Sequence, residues 1–109
     1  MKVEQFLNRN QFHLYGDYKH ILQSYKSKVV EITNNPGCVQ VIQLGRDWDY
    51  STTTSKHVYA FLDEYSNVRI CGVVNKRKYI KNLLEECKKD KTEFYQKHNY
   101  TIFYDEEMV

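Results

Sequence analysis

The chain has 109 residues, 41% of them hydrophobic and 28% charged, with a formal net charge of +2. That balance excludes an intrinsically disordered chain and suits one ordinary core without metal or disulfide staples, so residues 1–109 read as a single domain. A charge this small also excludes an acidic DNA mimic and does not by itself imply a nucleic-acid partner.

Residues 2–9 carry Val3, Phe6 and Leu7 at a spacing that covers one helical face, which predicts a short N-terminal helix. A stretch rich in β-formers follows, and residues 11–16, 20–25, 28–33 and 39–44 read as four short strands. They are divided by Gly16-Asp17, Lys26-Ser27 and Asn34-Asn35-Pro36-Gly37. In the last of these Pro36 presets one central dihedral and Gly37 accepts the positive φ that follows. Links this short join antiparallel neighbours, so a meander is expected.

Residues 47–51 lead into a helix in which Val58, Phe61, Leu62 and Tyr65 fall at i, i+3, i+4 and i+7, an apolar stripe closed by Ser66-Asn67. Residues 68–74 (VRICGVV) are β-branched enough to predict another strand. Asn75 is the N-cap expected of a second helix running to about residue 96, with Ile80, Leu83, Leu84, Cys87 and Phe94 on its buried face. Residues 100–104 (YTIFY) alternate and predict the last strand. The sum is an α+β domain: an antiparallel meander sheet of about five to six strands with two main helices packed on one face.

Cys38, Cys71 and Cys87 form no close pair, and an odd number leaves one unpaired. No apolar run is long enough to span a bilayer, and the opening MKVEQFLNRN lacks the apolar core of a signal peptide. The expected setting is a reducing cytoplasm, with no membrane partner.

The densest polar cluster runs through Tyr50, Ser51, Thr52 and Thr53 to Lys56 and His57, where the chain enters its first helix. Unpaired N–H groups and the positive end of the helix dipole meet there, and hydroxyls beside them suit a phosphate. Ordinary capping explains one such residue, with its neighbours facing water. Lys76, Arg77 and Lys78 open the second helix, with Lys81 further on. Cations in a first turn oppose the dipole, which a second anion-facing surface would explain and a solvated face would explain as well.

Signals for catalysis are thin. His13, His20, His57 and His98 are scattered, with no partner at metal-ligand spacing and no CxxC or HExxH, so neither a metal nor a cofactor is expected. No nucleophile elbow or glycine-rich phosphate loop occurs, Cys71 reads as core, and Asp47 and Asp49 suit a turn before a helix. The ten tyrosines offer rigid rings with polar tips, suited to half-buried or binding surfaces.

Two segments carry a resemblance. Leu22-Gln23-Ser24-Tyr25-Lys26-Ser27, followed by Leu44-Gly45 and Trp48-Asp49-Tyr50-Ser51-Thr52-Thr53, then a helix with Phe61-Leu62, resembles an uncharacterised family of small phage and prophage proteins of low-GC Gram-positive bacteria. It covers roughly residues 5–80 and departs at Leu22, where that family more often has Phe. The resemblance implies a phage-encoded accessory protein, without enzymatic activity, that binds a host defence component. The first expectation is capture of a phosphate-bearing nucleotide signal at Tyr50, Ser51, Thr52, Thr53, Lys56, His57, Lys76, Arg77 and Lys78. The alternative is inhibition of a defence enzyme such as a CRISPR nuclease through a tyrosine-rich sheet surface. Weak nucleic-acid binding ranks third, and a homo-oligomer is left open.

Overall fold

The computed structural model describes the backbone of residues 1–109 and every side chain except those of Asn8 and Arg9. Five strands follow one another: β1 (Lys2–Phe6), β2 (Asn8–Tyr15), β3 (Lys19–Ser24), β4 (Ser27–Thr33) and β5 (Gln40–Gly45). Three helices come next, α1 (Thr52–Tyr65), α2 (Lys76–Lys89) and α3 (Lys91–His98), and then β6 (Tyr100–Asp105). The sheet order is β1-β2-β3-β4-β5-β6. Each of the first four pairings is antiparallel, whereas β5 and β6 run parallel.

The meander follows from its turns. Cys38 N–H donates to the Asn35 carbonyl, and Gly37 takes the positive φ of 73° that the Asn-Pro-Gly sequence anticipates. Leu22, Val30 and Leu44 are cross-strand partners on one face, and Ile32, Ile42 and Ile102 form the next row. These residues are buried together with Val58, Phe61, Leu62, Ile80, Leu83 and Phe94 of the helices, so the helices share that face. The opposite face carries Phe12, Leu14, Ile21 and Val41 and is covered by no helix among the described residues.

Four features differ from the sequence reading. Residues 2–9 form no helix: the chain reverses at Leu7 (φ 65°) between two paired strands. Of the three apolar residues that suggested a helical face, Val3 is 60% exposed, Leu7 is 66% exposed and only Phe6 enters the core. Residues 68–74 form no strand, because β6 takes the place beside β5. Val68 and Ile70 are buried from a loop instead, pinned where Asp63 Oδ1 accepts the N–H groups of Ile70 (2.6 Å) and Cys71 (3.3 Å), but Cys71, expected in the core, is exposed.

The long second helix is two. Asp90 ends α2 by donating its N–H to the Glu86 carbonyl, and its Oδ1 accepts the Glu93 N–H to start α3. The helices therefore number three. Finally, β6 joins the sheet parallel to its neighbour, which the alternation of YTIFY cannot reveal.

Candidate functional site

The hydroxyl-rich entry to α1 folds around its own bonds. Ser51 is the N-cap: its Oγ accepts the Thr54 N–H at 3.1 Å and donates to Thr54 Oγ1 at 3.2 Å. Thr54 turns inward and meets Ser24 Oγ, which in turn accepts from Gln11 Nε2 at 2.8 Å. Ser27 Oγ donates to Asp47 Oδ2 at 3.0 Å. The two motif segments thus converge on one pocket of about 330 Å³, walled by Ser24, Ser27, Asp47, Ser51 and Thr54 and flanked by Tyr25 and Tyr50. Tyr50 is 81% exposed, and Thr52, Thr53 and Lys56 also face water. His57 is half-buried with its Nδ1 unpartnered, and burial together with the Lys56 charge holds its pKa below the usual 6.5.

The second cluster reaches the first through one ion pair. The Arg77 guanidinium contacts Asp49 Oδ2 at 3.0 Å, so it neutralises a carboxylate rather than presenting a charge to a ligand. Lys76 Nζ donates to the Val73 carbonyl at 3.1 Å, and the Lys78 side chain stays exposed. Of the nine expected residues, Tyr50 and Ser51 line the hydroxyl pocket, and none lines the larger cavity between α2 and β6.

That cavity is a groove of about 760 Å³ between α2 and β6. Lys81, Leu84, Glu85 and Lys88 recur at i, i+3, i+4 and i+7, one stripe of α2 facing the groove. Trp48, 2% exposed, and Cys87 lie below, while Ile102, Phe103 and Tyr104 form the far wall. Lys91 holds its Nζ 5.5 Å from the centre of the Phe103 ring, a cation–π contact. Three ammonium groups therefore rim an apolar, aromatic cleft, with Asp49 and Glu85 as hydrogen-bond acceptors. Residues 76–98 hold eight basic side chains against four acidic ones, so this segment is positive by four while the chain as a whole is only +2. The spacing of Lys81 and Lys88 was visible in the sequence; the aromatic floor and far wall were not.

Residues 47–51 partition the two cavities. Asp47, Tyr50 and Ser51 face the hydroxyl pocket, whereas Trp48 and Asp49 face the groove.

A third cluster corrects the view that the histidines stand apart. His13 Nδ1 lies 2.7 Å from Glu4 Oε1, and His13 Nε2 lies 2.7 Å from His20 Nδ1. Glu4 pairs with His13 across β1 and β2, and His20 is the diagonal neighbour of His13 across β2 and β3. Tyr65 of α1 stacks on the His20 ring and meets the His13 ring at a tilt, and burial as the main cause pushes its phenol pKa up to about 12. With Glu4 accepting from His13 Nδ1, a neutral pair has His20 Nδ1–H donating to His13 Nε2. Among the described residues, no group of three or more His, Cys, Asp or Glu side chains is placed to hold a metal ion.

A family model matches residues 1–77, more than half of the chain. This chain belongs to a family of unknown function (DUF8033). The match contains the hydroxyl pocket and the Glu4–His13–His20 cluster whole. It contributes Trp48 and Asp49 to the groove but ends before Lys81, Lys88, Lys91 and β6. No curated protein and no solved structure matches the chain. Among the described residues, no helix is long and apolar enough to cross a membrane.

Proposed function

We propose that this protein is a non-enzymatic phage accessory protein of the host cytoplasm that counters immunity by capturing a phosphate-bearing nucleotide signal. The groove between α2 and β6 is its site. One observation carries this reading: Lys81, Lys88 and Lys91 rim a cleft walled by Phe103 and Tyr104 above the buried Trp48. Aromatic rings take the face of a base, ammonium groups take phosphate, and the volume falls within the range of ligand sites. Asp49 and Glu85 accept hydrogen bonds from a base amino group or ribose hydroxyls. At the hydroxyl-rich entry to α1, Thr53 and Lys56 are a second place for the phosphate.

Native mass spectrometry of the protein from a host-like bacterium with active defence systems tests the reading. A retained mass that fragments to nucleotide supports it. Lys81→Glu with Lys88→Glu then abolishes retention if the groove is the site, whereas loss with Thr53→Ala and Lys56→Ala instead moves the site to the start of α1. Retention of neither nucleotide nor anion overturns capture.

The uncovered sheet face favours a second reading, a protein-binding inhibitor of a host defence enzyme such as a CRISPR nuclease. Phe12, Leu14 and Val41 lie there half-buried, and Tyr18 and Tyr25 stand exposed at the hairpin ends beside it. It predicts a one-to-one complex with a large polypeptide and no small ligand.

A further inference from the structure

We propose that β1 is a self-association edge, through which two copies of this chain pair antiparallel about Val3 into one continuous sheet. β1 ends the strand order and bonds only β2, so one side of its backbone meets no other strand. Natural edges are usually guarded by proline, by a bulge or by inward charge. This strand holds no proline, and its register shift falls between Gln5 and Phe6, leaving residues 2–5 regular. The segment also exposes apolar bulk, with Met1 68%, Val3 60% and Leu7 66% accessible.

Charge selects the occupant and its register. Antiparallel pairing centred on Val3 sets Lys2 opposite the partner's Glu4 and Glu4 opposite the partner's Lys2, with Val3 against the partner's Val3. Centring on Glu4 would set two carboxylates face to face. The Glu4 side chain is 48% exposed, so it reaches outward while holding His13. The same register extends the uncovered face. Ile21, Leu14 and Val3 are successive cross-strand partners, and the pairing carries that apolar row straight into the partner's copy of it. The edge lies at the opposite end of the sheet from the groove, and the proposal does not depend on what the groove binds.

Sedimentation equilibrium of the untagged full chain tests it. The expected mass is twice the 13.2 kDa of one chain. Lys2→Glu and Glu4→Lys each turn two opposite-charge pairs into like-charge pairs, so each weakens association by about tenfold or more. An equimolar mixture of the two restores the pairs and the dimer, with far-UV circular dichroism unchanged throughout. Should Glu4→Lys unfold through loss of its His13 bond, Val3→Arg replaces it and is expected to be monomeric. A monomeric wild type, a Lys2→Glu dimer of undiminished affinity, or folded single variants whose mixture stays monomeric would each overturn the proposal.

Discussion

Two cavities flank residues 47–51, and they differ in how far the chain has already used their polar groups. In the hydroxyl pocket Gln11, Ser24, Thr54 and Ser51 bond one another in a row, and Ser27 is bonded to Asp47. In the groove only Lys91 among the three lysines has a described partner, the Phe103 ring. Polar groups satisfied from within hold a fold together, and those left facing a cleft are able to hold something else. The dense run of hydroxyls is therefore largely spent on the fold, whereas the cations spaced along two helices stay open to the cleft.

Breaking the floor of the groove gives the largest effect. Trp48→Ala removes a buried ring beneath the groove and beside the cap of α1, and should cost about 3–5 kcal/mol of stability in urea unfolding. Lys81→Glu with Lys88→Glu separates the cavities more cleanly. Nucleotide affinity by calorimetry should fall about tenfold or more and the wild-type affinity should weaken with salt, while stability changes by no more than ~0.5 kcal/mol. Ser51→Ala is the converse, costing about 1 kcal/mol through the lost cap with nucleotide affinity unchanged. An affinity loss in that variant would show that the pocket and groove act as one site.

The smallest effect is a pH dependence from two histidines that line neither cavity. Burial, and then the neighbouring His13, hold the His20 pKa below its usual 6.5, and His57 is lowered by burial and Lys56. The unfolded chain then takes up protons first as pH falls. This stability is fully present above about 6.5 and is lost as pH falls through the lower folded values. Thermal unfolding between pH 7.5 and 5 should show the decline, and His20→Gln should flatten it.

What could be read from the chain follows the range of each interaction. Strands β3 to β5 were legible within a residue, and β2 within three at its start, because each pairs with its sequence neighbour through a short turn. Asn75 was legible as a cap, and so was a hydroxyl cap somewhere in the run that holds Ser51, because capping bonds reach only three residues along. Val68 and Ile70 misled, since β-branched residues fill a buried loop as well as a strand when a side chain such as Asp63 takes the backbone N–H groups. Val3, Phe6 and Leu7 misled because so short a segment fits both periods. The groove escaped because Trp48, Lys81, Lys91 and Phe103 come from four separate segments, and His13 and His20 met only through register.

The parallel edge has a consequence for how the chain reaches this state. β2 to β5 close over loops of a few residues, whereas Gln40 finds Tyr100 only after all three helices have intervened. Loop-closure entropy makes such a contact unfavourable until the intervening chain is already compact. The meander is thus the part that forms early, and β6 is the bolt that slides home last. Since Ile102, Phe103 and Tyr104 form one wall of the groove, that wall is expected to be completed only when β6 docks.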